Sequence, residues 1–504
     1  MIARRTLYNS IALFFQTFAL VISSLVIPRL ILVHYGSSYN GLIASITQFV
    51  GYAALLAAGV GGATRVSLYK PLAEKDINKV SSIIRATELH MRKVAIVFII
   101  CMLLFAGWYP VFLSKDFEWL LVFMLVLILG VSSFINYFFG FTYQLLLWAN
   151  LQKYVLTFIQ TGTTIINTVI AAILIILGHD IRVVFGVSAV VFAINPIFIH
   201  YYVKKRFMLI KDVKPDFSVL KQRWSVFVHE AAEFIVSNSS LIILAIFSNT
   251  LEMSVYIVYF TIIRSARQII RCMKGAGVEA PFGTMIANNQ YEKVSKSLKL
   301  FEFFHNSLSA IIVTSTALLI LPFVTIYTTG VYDVNYLRPL FAIIICTGEL
   351  LHNIRVPYKT LVQAAGHFAQ TRKGAICEIV INVVISVILV QRFGIVGVAI
   401  GTTLALLIRT VLLAVHVSRH IVKRKLTLFF QKFALLILNI GLIVIIAGFI
   451  PKGELYLYIE WFIHALQVFL IATSVTGIIA VVFYTEELKL IKDIVHKSIL
   501  KKRK

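Results

Sequence analysis

Four cations stand at helical spacing inside one apolar segment near the middle of the chain. The segment runs from residue 254 to about 287, and its cations are Arg264, Arg267, Arg271 and Lys274. At 100° per residue, all four fall within about 80° of one helix face. Each such charge costs roughly 2.5–3.5 kcal/mol in lipid, so four facing lipid would cost on the order of 10 kcal/mol. This cationic stripe therefore predicts a watery or protein-lined cavity that accepts an anion.

Other cations in apolar segments are candidates for the same substrate-binding cavity. They are Arg29, Arg65 and Arg355. Arg29 and Arg65 fall at predicted helix ends, where anchoring at the membrane interface is the alternative role. Lys274 could likewise extend to the interface. For the remaining arginines the alternative is an ion pair with a carboxylate of a neighbouring helix, as Arg409 could form with Glu378.

Embedded carboxylates are candidates for ion coupling. Glu233, Ser237 and Ser240 share one helix face, which makes a polar track that could bind a proton or a sodium ion during antiport. The same carboxylates could instead offset the cationic stripe. The four candidates are Glu230, Glu233, Glu349 and Glu378. We expect no metal site and no cofactor other than such a coupling ion.

The composition indicates which elements carry these residues. Hydrophobic residues make up 59% of the 504 and charged residues only 14%, and apolar runs of membrane-spanning length recur throughout. These features predict an all-α polytopic membrane protein with about 14 transmembrane helices. The predicted spans are 6–33, 41–68, 94–113, 119–147, 154–177, 183–203, 225–248, 254–287, 303–327, 337–362, 375–390, 395–417, 429–450 and 461–484.

The distribution of charge predicts the orientation. The side that holds both termini carries 32 of the 47 Lys and Arg residues, against 5 on the opposite side. The positive-inside rule therefore places both termini in the cytoplasm. The net charge of +25 reflects this topology and contacts with anionic membrane lipids. It does not indicate nucleic-acid binding, because no basic surface with interleaved aromatic residues lies outside the predicted spans.

Two pairs of short segments suggest an internal duplication. The sequence LAEKDINKVS at 72–81 aligns with IANNQYEKVS at 286–295. LLLWA at 145–149 aligns with TLVQA at 360–364, at nearly the same offset along the chain. Each pair follows corresponding predicted helices. Six helices return the chain to its starting side, so the two halves would be parallel repeats with a substrate path between them.

The duplication predicts four regions. Residues 1–206 form an N-terminal six-helix lobe and residues 207–425 a C-terminal six-helix lobe. Residues 426–484 contain two appended helices, and residues 485–504 form a basic cytoplasmic tail.

The order of several motifs resembles a known family. The chain is similar to the polysaccharide-repeat-unit flippases, the polysaccharide branch of the multidrug, oligosaccharidyl-lipid and polysaccharide (MOP) exporter superfamily. The resemblance extends from about Arg5 to Lys425. Its motifs are IPRLILVHYGSSYNGL (27–42), SLYKPLAEKD (67–76), SVYIVYFTIIRSA (254–266), LPFVTIYTTGVYDVNYLRP (321–339), IRVPYKTLVQAAGHFAQT (354–371), EIVINVVIS (378–386) and GIVGVAIGT (394–402).

The resemblance implies a flippase that moves undecaprenyl-diphosphate-linked oligosaccharide to the outer leaflet of the bacterial cytoplasmic membrane by alternating access. The pathway would be capsule, O-antigen or exopolysaccharide synthesis, with the polysaccharide polymerase and glycosyltransferases as partners. Arginine provides forked donors matched to phosphate oxygens, so the cationic stripe fits a diphosphate. The sequence departs from the family at Asn150, where relatives often carry an acidic residue.

Two other classes of protein were weighed. A multidrug cation antiporter of the same superfamily is expected to have an acidic and aromatic cavity and about twelve helices, which this sequence does not favour. A polyprenyl-sugar-using membrane glycosyltransferase needs a catalytic acidic pair in a sizeable exterior loop. The longest predicted exterior loops, 328–336 and 451–460, are short, so an enzyme is not expected.

Overall fold

Every regular element in the structure, a computed structural model of the chain, is helical. It describes residues 2–57, 60–112, 117–150, 152–210, 212–220, 234–235, 238–274, 279–450 and 457–502. Within those ranges, ten helices are long and apolar enough to cross a membrane. A helix satisfies its backbone hydrogen bonds internally, as the bilayer core requires. The chain is therefore an all-helical, multi-pass membrane protein.

In the described part of the chain, eight α-helices precede residue 207, and they contain five candidate spans, of which Trp119–Ala149 includes two of the helices. They are α1 (Ile2–Tyr35), α2 (Ser37–Ala53), α3 (Val60–Glu74), α4 (Ile77–Phe112), α5 (Trp119–Ile135), α6 (Phe141–Ala149), α7 (Lys153–Ile176) and α8 (Ile181–Arg206). The predicted span 41–68 is not one continuous helix, because α2 passes into a 3-10 turn at Ala54–Ala57. This change directly precedes the sequence GVGG, in which glycine weakens helical structure.

Ten helices follow residue 207 in the described part of the chain. They are α9 (Asn238–Phe247), α10 (Thr250–Lys274), α11 (Glu279–Ala287), α12 (Tyr291–Tyr327), α13 (Pro339–Ile354), α14 (Val356–Ala364), α15 (Phe368–His416), α16 (Thr427–Gly448), α17 (Tyr458–Phe483) and α18 (Thr485–Lys502). In the predicted span 254–287, α10 is described as far as Lys274 and α11 begins at Glu279. The sequence GAGV follows at 275–278, outside the described residues.

Helix α15 combines two predicted spans. Its 49 residues contain one non-helical position, Gly394, with φ 53° and ψ −131°. Residues with a side chain rarely adopt a positive φ of this kind, so glycine allows the chain to turn there. The break falls directly before the predicted span 395–417. The prediction of two helices in this region therefore agrees with the backbone.

The chain divides into two compact units. Unit 1 comprises residues 1–257 and 330–334, and unit 2 comprises 258–329 and 335–504. In unit 1, buried side chains such as Phe98 and Leu125 form the core; in unit 2, Leu298 and Leu413 belong to the corresponding core. The compact division falls at Ile257, within α10. The lobes predicted from the repeat, with a boundary at 206/207, stay a prediction.

The short segment 330–334 belongs to unit 1 because it caps α2. The Asp333 carboxylate accepts hydrogen bonds from the Ser37 backbone N–H at 2.8 Å and from the Ser37 hydroxyl at 2.5 Å. A carboxylate at a helix N-terminus satisfies a free N–H group and interacts favourably with the helix dipole. In the same unit, Asn40 donates from Nδ2 to Ser254 Oγ at 2.8 Å.

The first aligned segment pair adopts the same turn at both positions. Lys75 and Asn289 occupy the same column of that alignment, and both have φ 56°. The next residue in each case closes the turn: Asp76 N–H donates to Pro71 O at 3.0 Å, and Gln290 N–H donates to Met285 O at 2.9 Å. This is the hydrogen-bonding pattern that ends a helix with one left-handed residue. The sequence alignment therefore extends to backbone geometry.

The second aligned pair also shares its hydrogen bonds. After α6, Gln152 N–H donates to Leu147 O at 2.8 Å; after α14, His367 N–H donates to Val362 O at 3.1 Å. These two donors correspond to each other when the alignment of LLLWA with TLVQA is continued, and so do the two acceptors. Matching turns in both segment pairs support the proposed internal duplication.

The left-handed turn predicts a stabilising substitution. Lysine at φ 56° has a steric cost of roughly 1–2 kcal/mol, which glycine avoids. Glycine is more flexible in the unfolded state, and this offsets about 0.5–1 kcal/mol of that gain in folding stability. We expect Lys75→Gly to raise the melting temperature in detergent by about 2 °C. Lys70→Gly, within α3, is the control and is expected to lower it by a similar amount. Equal losses from both changes would contradict the interpretation.

Candidate functional site

The cationic stripe lies on α10. Ile263, Ala266 and Ile270 are buried on the helix at the spacing of one packed face. Arg264 and Arg271 are exposed, whereas Arg267 is half-buried. Lys274 is the last residue of α10, and its side chain lies outside the described part of the structure. Helix α10 thus has one packed face, and at least two guanidinium groups lie on its exposed side.

Arg267 is ion-paired with Glu349 of α13. Its Nε donates to Glu349 Oε1 at 3.0 Å and to Oε2 at 2.9 Å, and its Nη2 also donates to Oε2. The Glu349 side chain is 1% exposed and that of Arg267 is 19% exposed. Asn353 Nδ2 donates to Glu349 Oε1 at 2.7 Å and to the Glu349 backbone oxygen at 2.9 Å. One member of the predicted stripe is therefore already bound by a carboxylate.

Arg264 and Arg271 differ from Arg267. No hydrogen-bond acceptor or carboxylate pairs with either of them among the described side chains. A lipid-facing guanidinium at membrane depth is costly, so an exposed pair of this kind indicates contact with water or with an anionic ligand. We call these two exposed residues of the stripe the exposed pair.

Arg355 lies at a break between two helices. It separates α13 from α14, where Pro357 follows in the first turn of α14. Proline lacks an N–H group and restricts the residue before it, which explains the interruption. The Arg355 side chain is buried: Nη1 donates to Glu378 Oε1 at 2.5 Å, and Nη2 lies 3.1 Å from His352 Nδ1. Arg355 is therefore not brought into the exposed pair.

Glu378 binds two guanidinium groups. Besides Arg355, it has Arg409 Nε 3.5 Å from its Oε2 atom. Arg409 also donates from Nη1 to Thr371 O at 3.1 Å. The ion pair that the sequence offered as an alternative for Arg409 is thus present, although Arg355 makes the closer contact. Glu378 is therefore paired with two arginines, and Glu349 with one.

We refer to these seven charged residues of unit 2 as the arginine cluster. Its members are Arg264, Arg267, Arg271, Arg355, Arg409, Glu349 and Glu378. The set contains five guanidinium groups and two carboxylates. Two of the three excess positive charges lie at the exposed pair, since the other three arginines share the two carboxylates. An anion is the ligand that would balance this charge.

Unit 1 has a discontinuous helix at the equivalent repeat position. A π-helical turn, Asn136–Gly140, separates α5 from α6. Gly140 corresponds to Arg355 in the alignment of the second segment pair, and a Cβ atom there would overlap Pro196 of α8. Gln144 Nε2 donates to Asn136 Oδ1 at 2.6 Å across the turn. Single π turns within helices and interrupted membrane helices are frequent at functional sites.

The remaining predicted cations lie in unit 1. The Arg65 guanidinium lies over the Trp148 ring, with its carbon 4.1 Å from the ring centroid, and Lys153 Nζ lies 4.6 Å from the same centroid. Such cation–π contacts contribute about 0.5–2 kcal/mol each. Arg29 is half-buried on α1, directly after Pro28. Arg29 and Arg65 thus belong to unit 1, whereas the arginine cluster belongs to unit 2.

Two ion-coupling candidates cannot be placed. Glu230 and Glu233 lie outside the described residues, as does Ser237. Ser240, the last member of the predicted track, is buried on α9.

A buried ion cluster in unit 2 was missed by the sequence analysis. Glu302 of α12 is fully buried and accepts from Arg424 Nη1 at 3.0 Å and from Lys432 Nζ at 3.0 Å. Arg424 Nη2 also pairs with Glu302, and Lys432 contacts Glu487 Oε1 of α18 at 3.3 Å. Glu302 lies directly before the predicted span 303–327, so hydropathy does not place it on a helix. Its spacing between buried Leu298 and Ser309 is the signal that could have placed it on the packed face.

The segment after α8 is hydrogen-bonded to the start of α4. Lys79 Nζ donates to Asp216 Oδ2 at 2.7 Å, and Ser82 Oγ donates to Lys214 O at 2.6 Å. The hydrogen bond from the Lys79 ammonium lowers the pKa of Asp216 to about 2. Because the pKa of Asp216 is depressed in the folded state, its ionised carboxylate stabilises the fold at neutral pH, and this stabilisation is lost only as pH falls toward 2. The loop contact therefore persists across physiological pH.

Comparison with solved structures defines the class of fold. No protein-family model and no curated protein sequence matches the chain. An inward-facing multidrug resistance MATE family transporter of the MOP superfamily superposes with a TM-score of 0.60 and 15% identity, over 81% of this chain and 92% of that one. A MOP superfamily transporter from Pyrococcus furiosus superposes with a TM-score of 0.62 and 13% identity, over 84% and 97%. The chain has the MOP transporter fold.

One further structure covers nearly all of the chain. The lipid II flippase MurJ, in an inward closed conformation, superposes with a TM-score of 0.69 and 14% identity, over 96% of this chain and 99% of that one. This alignment includes a larger share of the chain than either transporter alignment does. All three neighbours are transporters or flippases.

Proposed function

We propose that the chain flips undecaprenyl-diphosphate-linked oligosaccharide repeat units across the bacterial cytoplasmic membrane for capsule, O-antigen or exopolysaccharide synthesis. The observation that carries this proposal is the exposed pair, Arg264 and Arg271, in a cluster with excess positive charge. Guanidinium groups bind phosphate oxygens through forked, charge-assisted hydrogen bonds. The lipid II flippase with the same fold supports a lipid-linked substrate.

The spacing of the exposed pair suits a moving headgroup. Seven residues at 1.5 Å each separate Arg264 from Arg271 by roughly 10 Å along α10. A diphosphate could therefore contact one arginine before it leaves the other, while the sugars stay in water and the polyprenyl chain stays in lipid. An inside-negative potential also favours outward movement of negative charge, by about 2.3 kcal/mol per charge per 100 mV.

We infer fourteen spans, with both termini in the cytoplasm, as part of this proposal. Ten helices qualify by length and composition within the described ranges. The break at Gly394 divides one of them into two. The other three are the interrupted α2–α3 segment, the segment that contains α9, and the charged α10–α11 segment. These last three segments contain glycine-rich breaks, undescribed residues or cations, so none of them is among the ten long apolar helices of the described ranges.

Ion coupling remains part of the proposal. Glu230 and Glu233 keep their predicted roles as proton or sodium sites. Glu349 and Glu378 are held by arginines, so each would need to exchange a cationic partner before it could bind an ion. We also propose the polysaccharide polymerase and glycosyltransferases of the pathway as partners.

Cation export is the alternative, because MATE transporters share the fold. The sign of the charge distinguishes the two functions. The Pyrococcus furiosus transporter is described as having a binding pocket of reverse polarity that suggests a different function, which supports the use of pocket charge as a criterion. An exposed arginine pair would repel a cationic drug by like-charge interaction.

Reconstituted vesicles provide the test. Purified protein is placed in vesicles with a fluorescent undecaprenyl-diphosphate-linked oligosaccharide, and translocation is measured by a membrane-impermeant quencher. We expect protein-dependent flipping of this lipid and no transport of a cationic dye. Vesicles without protein measure the spontaneous rate. Dye transport without lipid flipping would overturn the proposal in favour of the antiporter.

A further inference from the structure

Two cations lie beside the ring of Trp148, close to the end of α6. The Arg65 guanidinium carbon of α3 lies 4.1 Å from the ring centroid, and the ammonium nitrogen of Lys153, the first residue of α7, lies 4.6 Å from it. Cation–π contacts of this kind are attractive and hold both charges near the ring. We call Arg65, Trp148 and Lys153 the Trp148 site.

The two cations of the Trp148 site have no carboxylate partner among the described residues. Arg65 donates from Nε to the Gly61 backbone oxygen at 3.3 Å, which leaves its other N–H groups available to an anion. The loop sequence ANLQK at 149–153 contains no acidic residue. Both cationic side chains are half-buried, so water screens them less than it screens charges on an open surface. The site therefore has two positive charges that an anion can balance.

The Trp148 site lies where two membrane helices end. Helix α6 ends at Ala149 and α7 begins at Lys153, and both belong to candidate membrane spans. Trp148 is 40% exposed, and Tyr154 packs on Tyr8 of α1 with ring centroids 5.7 Å apart. Trp and Tyr are enriched at the membrane–water interface, where lipid phosphates also lie. In the proposed topology this end of unit 1 is cytoplasmic, and the cytoplasmic leaflet contains anionic phospholipids.

The turn between α6 and α7 does not depend on the side chains of the Trp148 site. The corresponding turn of unit 2 has the same backbone hydrogen bond, from the residue after the helix end back to the helix. In the alignment of the second segment pair, Gln363 stands opposite Trp148, and the continued alignment places Phe368 opposite Lys153. The turn thus forms without an aromatic ring and a cation at these positions. A role in binding therefore explains these residues better than a role in folding the turn.

We propose that Arg65, Lys153 and Trp148 bind the phosphate of an anionic phospholipid in the cytoplasmic leaflet. Arg65 provides forked donors and Lys153 a compact charge, and both form charge-assisted hydrogen bonds with phosphate oxygens. Trp148 is a positioning residue, because its ring holds the two cations. The inference goes beyond the transported substrate and uses only the topology of the proposed function. A headgroup bound here would attach the ends of α3, α6 and α7 to the leaflet.

Native mass spectrometry of the full-length protein in a neutral detergent tests the proposal. The probes are phosphatidylglycerol and phosphatidylcholine of equal chain length, and the dissociation constant of the first bound lipid is measured for each. We expect phosphatidylglycerol to bind at least about tenfold more tightly, because its phosphate is not neutralised within the headgroup. Arg65→Gln with Lys153→Gln is expected to weaken phosphatidylglycerol binding at least about tenfold and to leave phosphatidylcholine binding unchanged.

A matched pair of cations controls for net charge. Lys70 and Lys296 are exposed and already pair with Glu74 and Glu292. Lys70→Gln with Lys296→Gln removes the same number of positive charges as the first double variant. Phosphatidylglycerol binding is expected to be unchanged in this control. A loss equal to that of the first double variant would show that net charge alone determines lipid binding, and it would overturn the site.

Variants of the ring test the positioning role of Trp148. Trp148→Leu is expected to weaken phosphatidylglycerol binding, whereas Trp148→Phe is expected to retain most of it, because phenylalanine still offers a ring to the cations. Equal affinities of these two variants would contradict the positioning role. If the variant of both cations does not fold, as judged by size-exclusion chromatography, Lys153→Gln alone tests the site with the same readout.

A third probe separates the two sources of lipid phosphate. It is a monosaccharide linked to undecaprenol through a diphosphate. If the variant of both cations loses this probe but keeps phosphatidylglycerol, the Trp148 site belongs to the transported lipid and the phospholipid proposal is overturned. Unchanged phosphatidylglycerol affinity in the folded variant, or equal affinity of the unaltered protein for the two phospholipids, also overturns it. Loss of flipping in the vesicle assay contradicts the proposed function and leaves this site untouched.

Discussion

Replacing Arg264 and Arg271 together with alanine is expected to reduce flipping of the lipid-linked oligosaccharide by at least about 100-fold. Each guanidinium would contribute a charge-assisted hydrogen bond of about 1.5–3 kcal/mol to the diphosphate, and about 1.36 kcal/mol corresponds to a factor of ten in rate. Folding is expected to remain intact, because both side chains are exposed and have no ion-pair partner in the described structure. The quencher assay measures the rate, and size-exclusion chromatography measures folding.

Two matched variants complete this experiment. Lys489→Ala with Lys492→Ala removes two cations from α18, and flipping is expected to continue at the normal rate. Arg264→Lys with Arg271→Lys keeps the charge but loses the forked donors, so partial activity is expected. Normal flipping by the double alanine variant would show that the exposed pair does not bind the substrate. Arg267 is left unchanged, because its removal would strand the buried Glu349 carboxylate.

The second large effect is expected at Glu302. Glu302→Gln removes the negative charge that Arg424 and Lys432 share, and both cations have side chains no more than 12% exposed. Breaking a buried ion pair by removing one partner costs about 3–5 kcal/mol. We therefore expect the melting temperature in detergent to fall by about 10 °C. The loss is expected to affect the packing of α12 against α16 and α18.

An exposed ion pair on the same helix is the control for Glu302. Glu292 contacts Lys296 at 2.7 Å, but the Glu292 side chain is 83% exposed. Exposed pairs of this kind contribute little to stability, because water screens them. Glu292→Gln is therefore expected to leave the melting temperature nearly unchanged. A similar decrease in both variants would indicate that the Glu302 cluster has no special structural role.

Much of the fold could be predicted from hydropathy and charge. Long apolar runs determine helices, because only a helix satisfies its own backbone in lipid, and α7 and α8 follow the predicted spans 154–177 and 183–203 closely. The prediction of one continuous helix was wrong for 41–68, where α2 passes into a 3-10 turn shortly before the glycine-rich sequence at 59–62. Hydropathy averages over about twenty residues and is insensitive to such local breaks.

The candidate site was only partly predictable. Helical periodicity placed Arg264, Arg267 and Arg271 on one side of α10, because positions three and seven apart share a face. It could not show which of them is already paired. Glu349, the partner of Arg267, lies 82 residues away from it in sequence. Arg424 and Lys432, the partners of Glu302, lie 122 and 130 residues away from it.

The amino-acid sequence by itself determined that this is a multi-pass helical membrane protein with an unusual set of cations at membrane depth, since hydropathy and the helical period depend only on local order. Tertiary structure alone decided which cations are free. Ion pairs between helices depend on how distant segments pack, and a spacing rule within one helix contains no information about its neighbours. Packing of α10 against α13 joins Arg267 to Glu349 and leaves Arg264 and Arg271 exposed.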